Sequence, residues 1–239
     1  MKNRDRNKML LGMLLIVAIY CLIGICSNRF ITTFVSNNPI PPMYTVVLDA
    51  GHGGEDGGAV SCSGAYESQI NLEISLRLRD LMNLMGIPTV LIRDGDYSVY
   101  TTGKTLSEKK VSDLKNRVQI VEKLESPLLV SIHQNYFPEG KYAGAQVFYG
   151  KTENSQILAS KLQSAFVTTL NEGSNRKEKP GDSIYLLKNT KCDAILVECG
   201  FLSNIKEDAL LRKPEYQKKI CCVIAATVSD YSTISPSLS

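Results

Sequence analysis

Residues 44–54 read Tyr-Thr-Val-Val-Leu-Asp-Ala-Gly-His-Gly-Gly. An apolar, β-branched run stops abruptly at an acid, a histidine and glycines. A short apolar run bounded by Pro41-Pro42 on one side and glycines on the other reads as a buried strand, Tyr44–Asp49. Its polar residues then fall just past the strand's carboxyl end. Two later stretches share this form. Leu128–His133 runs into Gln134-Asn135, and Ala194–Glu198 runs into Cys199-Gly200-Phe201.

Between these strands the period changes. Glu67–Met85 places Ile70, Ile74, Leu78, Leu81 and Met85 on one stripe, with Glu73, Arg77 and Asp80 off it, which predicts an amphipathic helix. Gly86 and Pro88 end it. Thr89–Ile92 reads as a strand, Val111–Leu124 as a helix, Ala145–Tyr149 as a strand and Glu153–Asn171 as a helix. Ser183–Leu187 reads as another strand, and Pro214–Tyr231 as a last helix with proline near its start. Strands alternating with helices predict an α/β domain with helices on both faces of the sheet. Between His133 and Glu198 no further helix of a length to plug the cleft is expected.

The 239 residues, 44% apolar and 21% charged, suit one globular domain with extra segments. The net charge of +3 is concentrated at one end. Lys2, Arg4, Arg6, Lys8 and Arg29 against Asp5 give residues 1–29 a net +4, which leaves about −1 on the rest. A folded part without a basic face argues against nucleic acid as a partner. Met9–Cys26 is 18 residues without a charge, close to the roughly 20 that span a bilayer. The basic residues before it place the N-terminus inside and the remainder outside. A cleaved signal peptide is the rival, but no A-x-A site follows, and Ile25 is too bulky for a lipoprotein signal at Cys26. The organisation expected is therefore a basic tail at 1–8, a transmembrane anchor at 9–26, a proline-containing linker at 27–43, the folded domain at 44–231 and a tail at 232–239. Cys62, Cys192, Cys199, Cys221 and Cys222 show no CxxC spacing. They read as buried free thiols rather than as a disulfide scaffold or a cysteine zinc site.

In a parallel α/β sheet, ligands sit beyond the carboxyl ends of the strands. The fold reading alone thus brings His52, His133 and Glu198 towards one crevice. Glu67 joins them, because it opens a helix after the glycine-rich loop and the helix dipole favours a carboxylate there. His52, Glu67 and His133 form a His₂Glu set, which suits one zinc ion with an open position for water. Zinc so held lowers the pKa of bound water to roughly 7. Glu198 is then the carboxylate placed to accept the water's proton and return it to a leaving amine. Only two histidines exist in the chain, so none is left for a serine or cysteine triad. Each element also has a plainer reading. Either histidine can be structural, Gly51–Gly58 can be an anion cradle, Glu67 can be a helix-start acid, and Glu198 can be an ion-paired buried acid.

At these residues the chain resembles the zinc N-acetylmuramoyl-L-alanine amidases of the Amidase_3 type. The matching blocks are VVLDAGHGGEDGGA at Val46–Ala59, the helix start at Glu67, LVSIHQN at Leu129–Asn135 and ILVECGFLSN at Ile195–Asn204. They run in order through residues 44–231. The resemblance implies a mixed, mostly parallel sheet of about six strands. It implies zinc on His52, Glu67 and His133, with Glu198 as catalytic acid/base. The implied substrate is the peptidoglycan amide between the muramic acid lactyl group and L-alanine. One catalytic domain behind an N-terminal apolar segment is most similar to the germination-specific amidases of spore-formers, which strip cortex muramic acid of peptide ahead of δ-lactam formation. Several relatives need an activator protein, so an activator is a further partner the resemblance implies. Asn135, Gly200 and Phe201 are the expected substrate contacts, with Gly200 allowing a sharp turn after Glu198. The chain departs from the family where Ala50 replaces a frequent proline and where Gln134 replaces a small residue beside His133. Rival functions are a zinc peptidase acting on other cell-wall bonds, an inactive peptidoglycan-binding module, and a structural membrane protein.

Overall fold

The computed structural model describes residues 44–231. The basic tail, the apolar segment Met9–Cys26, the linker and the C-terminal tail lie outside the described residues. No helix among those described is long and apolar enough to cross a membrane.

Six strands form one sheet in the order β2-β1-β3-β6-β4-β5. They are β1 (Thr45–Ala50), β2 (Thr89–Leu91), β3 (Pro127–Asn135), β4 (Gln146–Tyr149), β5 (Lys179–Pro180) and β6 (Asp193–Phe201). Pairing is parallel throughout except between β4 and β6. Helices α1 (Glu67–Leu84), α3 (Glu153–Thr169) and α6 (Pro214–Ser229) cover one face. Helices α2 (Leu106–Glu122) and α4 (Tyr185–Asn189) cover the other. The short α5 (Ile205–Leu211) follows β6 and packs on it. The strands alternate between the two cores, as their two-residue period requires. Val46, Leu48, Val130, Ile132, Ile195 and Val197 face the α1/α3/α6 side, whereas Val47, Leu129, Ala194 and Leu196 face α2 and α4.

The predicted α/β class and the mixed, mostly parallel six-stranded sheet are observed, with four differences in detail. Ser183–Leu187 is not a strand: Tyr185–Asn189 is a short helix that buries Leu186 and Leu187. A five-residue apolar run carries too little periodicity to separate the two states, and the edge position beside β4 is taken by Lys179–Pro180. Helix α2 begins at Leu106 rather than Val111. Thr105 and Glu108 form a reciprocal capping box there, a signal present in the sequence. The buried stripe of α1 ends at Met82, while Met85 is exposed and Leu81 is only partly covered. Of the five described cysteines, all free, only Cys199 and Cys221 are buried.

Candidate active site

Strands β1, β3 and β6 lie side by side, so their carboxyl ends form one rim. His133 on β3 is the register partner of Glu198 on β6. Register partners on parallel strands share a face, so the imidazole and the carboxylate are neighbours by construction. His52 follows β1 with a left-handed backbone, φ 60°, a conformation costly for a residue with a Cβ. The loop then doubles back and supplies carbonyls to the start of α1. Glu67 N donates to Ala59 O at 2.9 Å and Ser68 N to Gly57 O at 3.1 Å. Helix α1 thus starts against the loop that carries His52, and Glu67 is buried between them.

Glu67 is held from every side. Its Oε1 accepts from Gln134 N at 3.1 Å and Asn71 Nδ2 at 3.2 Å, and lies 3.0 Å from His133 Nδ1. Its Oε2 accepts from Ala59 N at 3.0 Å and lies 3.2 Å from His52 Nε2. One donor atom from each of His52, Glu67 and His133 falls within 4.8 Å of the others. The two imidazoles meet edge to face, with centroids 5.0 Å apart. Two glycines make room for this. A Cβ on Gly51 would stand 2.2 Å from the His133 ring. One on Gly58, at φ +69°, would stand 2.6 Å from Glu67 Oε2.

The electrostatics favour a cation here. Burial alone would raise Glu67, but the two imidazoles hold it far below the ordinary carboxylate range. Burial alone would lower His52, yet hydrogen bonds to Asp56 and Glu67 outweigh it and raise it to about 9. Glu198 behaves in the opposite way. It is half-buried, its Oε2 is shut off from solvent and has no hydrogen-bond partner. Burial, with the nearby Glu67 charge, pushes it up to about 7 against the pull of the histidines. The site therefore pairs a carboxylate fixed as an anion with one poised to carry a proton.

Several supporting residues escape a reading of the sequence. Asp56 Oδ2 lies 2.9 Å from His52 Nδ1 and 3.1 Å from Lys110 Nζ. It is the carboxylate that orients the ring, and its position four residues after His52 is the only trace it leaves. Arg117, fully buried, donates to Asp49 Oδ1 at 2.5 Å, Asp113 Oδ2 at 2.6 Å, Ala50 O at 3.0 Å and His52 O at 2.7 Å. Arg93 donates to Ala50 O at 2.7 Å and Gly51 O at 3.0 Å. Two arginines thus clamp the backbone that delivers His52. Arg117 sits on the buried face of α2 with Asp113 and Val121, and a charge on an apolar stripe is the signal that could have found it.

The expected substrate contacts divide. Asn135 ends β3 at the rim, half-buried. Gly200 and Phe201 are buried. Gly200 lies within β6 with no left-handed backbone, so it makes no sharp turn; its missing side chain leaves space for Leu211 and Glu207. Phe201 is covered by Tyr142 and Arg176. Gln134 points away from the cleft, donating from Nε2 to Asn71 Oδ1 at 3.1 Å behind Glu67. The short α4, which also falls between His133 and Glu198, packs into the sheet's second core rather than over the rim.

This fold and this cluster define a single-domain α/β protein with a His–Glu–His triplet, of the kind that metal-dependent hydrolases use, at the carboxyl ends of parallel strands. More narrowly, the N-acetylmuramoyl-L-alanine amidase family, Amidase_3, matches residues 46–230, and the chain belongs to that family. It is 38% identical over 190 residues to the germination-specific N-acetylmuramoyl-L-alanine amidase of Bacillus subtilis (strain 168), covering 79% of each chain. Among solved structures it is similar to the CwlD amidase from Clostridioides difficile, which is in complex with the GerS lipoprotein. That likeness has 41% identity and a TM-score of 0.76 over 80% of this chain and 98% of that one. It is also similar to the amidase AmiC2 of Nostoc punctiforme, with 27% identity, a TM-score of 0.69 and coverage of 80% and 98%.

Proposed function

We propose that the chain is a zinc-dependent amidase that cuts the bond between the muramic acid lactyl group and L-alanine, with His52, Glu67 and His133 as the zinc ligands and Glu198 as acid and base. The observation that carries this reading is the convergence of two imidazoles and one buried carboxylate beside a second carboxylate with an unpartnered, solvent-shielded oxygen. The donor set and the cation-favouring field suit zinc. When bound, zinc supplies Lewis acidity for a carbonyl oxygen and for water.

The remaining work falls to side chains of this chain. Glu198, near neutrality in pKa, accepts a proton from the attacking water and delivers it to the departing alanine nitrogen. Asp56 fixes the tautomer and angle of His52. Asn71 and the Ala59 and Gln134 N–H groups keep Glu67 from rotating. Asn135, at the end of β3, is proposed as a donor to substrate. The cell-wall role follows the relatives: removal of peptides from spore-cortex muramic acid as a step towards δ-lactam. A partner protein of the lipoprotein kind found with the CwlD amidase is proposed as an activator. Met9–Cys26 is proposed as the anchor that keeps the catalytic domain outside the cytoplasmic membrane, within the domain boundaries read from the sequence.

Digesting purified peptidoglycan with the full-length chain, with zinc and after chelation, tests this. Stem peptides with a free alanine N-terminus should appear only with zinc. A zinc peptidase would release fragments cut elsewhere in the stem, and a binding module would release none.

A further inference from the structure

Resting on that reading, we propose that Arg176 receives a free carboxylate on the peptide beyond the scissile alanine and so selects which stems are cut. Because β4 runs antiparallel to β6, its first residue rather than its last stands at the catalytic rim. Gln146 is the register partner of Glu198. Across the rim the order is therefore His133, Glu198, Gln146, with the zinc ligand on one side of Glu198 and the start of β4 on the other. The leaving nitrogen is the one Glu198 protonates. The peptide attached to that nitrogen leads away past Glu198, towards the loop that joins β3 to β4.

That loop is built as a firm ledge. It starts directly after Asn135 and exposes Tyr136, Phe137 and Tyr142. Phe137 packs edge-on against Tyr142 at 4.8 Å between centroids, and Tyr142 lies 6.0 Å from Phe201. Phe137 N donates to Ser203 Oγ at 3.0 Å, and Asn204 Nδ2 donates to Tyr142 O at 3.1 Å. Buried Glu207 accepts from Gly144 N at 2.8 Å and Phe201 N at 2.7 Å.

Arg176 lies on this ledge, half-buried. Its guanidinium carbon stands 5.0 Å over the Phe201 ring, Nε donates to Ala143 O at 3.1 Å and Nη1 to Gln146 Oε1 at 3.4 Å. Among the described residues no carboxylate forms an ion pair with it, and its Nη2 makes no hydrogen bond. Glu207 feels its charge, but that carboxylate is already engaged by the two backbone donors. Lys141, the other cation of the ledge, is paired with Glu139. A guanidinium stacked, oriented and without a direct ion pair is prearranged for bidentate carboxylate binding.

The test uses the full-length zinc-loaded chain and two synthetic muropeptides. They differ only in whether the residue after L-alanine carries a free carboxyl or its primary amide. Wild type should cut the acid with the higher kcat/KM. Arg176→Gln should lose about tenfold to a hundredfold on the acid, mainly in KM. Its loss on the amide should be at least tenfold smaller, with zinc content and Tm kept. Arg176→Lys should recover part of the preference. Equal losses on both substrates, or a preference that Arg176→Gln leaves intact, would overturn the subsite. Cleavage of either substrate by wild type at a bond other than the lactyl amide would instead sink the amidase reading.

Discussion

Glu198 and Asp56 show how one functional group, the carboxylate, serves two tasks. Glu198 is shielded and unpaired, so its proton affinity rises to about 7. Asp56 lies between His52 and Lys110, and although burial would raise it, those partners drive it far below the ordinary range. Glu198→Gln should therefore retain zinc, measured by elemental analysis, while turnover falls about 10²–10⁴-fold. His133→Ala should lose both. Asp56→Asn keeps the shape but removes the charge that orients His52. Zinc affinity, read by chelator competition, should fall about 10–100-fold; an unchanged affinity would show that the ring needs no such partner. Gly51→Ala should also impair the site without altering any polar group, because its Cβ occupies the space of the His133 ring.

At the scale of elements, the loop after β1 depends on a helix distant in sequence. Asp49, its register partner Ser131 and Arg117 of α2 form one buried network. Burial alone would raise Asp49, but Arg117, followed by His133 and the Ser131 hydroxyl, holds it below its ordinary value. A carboxylate depressed on folding contributes stability that is present above its unfolded pKa. That stability is lost as pH falls through the folded value. Asp49→Asn should thus flatten the acid limb of a stability–pH curve, and an unchanged limb would contradict the network. Arg117→Met leaves Asp49 buried without its cation and should cost about 3–5 kcal/mol in denaturant melts. The same contrast explains what was legible in the sequence. His52, His133 and Glu198 stand at the ends of apolar runs, where a strand reading places them together, and Glu67 stands at a legible helix start. Arg93 acts through backbone carbonyls, and only three-dimensional contact identifies it; Asp56 and Arg117 leave faint traces, one in its spacing from His52 and the other as a charge on the buried face of α2. Tyr185–Asn189 was illegible for a different reason, since five apolar-rich residues carry no periodicity.

For the whole molecule, the polarity of charge along the chain matters as much as the site. Five of its cations lie in residues 1–29, beside an apolar stretch that the structure does not describe. If that stretch is the anchor, full-length protein should stay in the membrane fraction through a high-salt wash, and deletion of residues 1–43 should release it. Release of the intact chain by salt alone would point to surface attachment. Mass analysis of the products from peptidoglycan treated with the full-length, zinc-loaded chain decides the chemistry. The expected products are muramic acid with a free lactyl carboxyl and stems beginning in unmodified L-alanine, with both lost on chelation. Cleavage between stem amino acids, or a lactyl product that persists without metal, would contradict that chemistry.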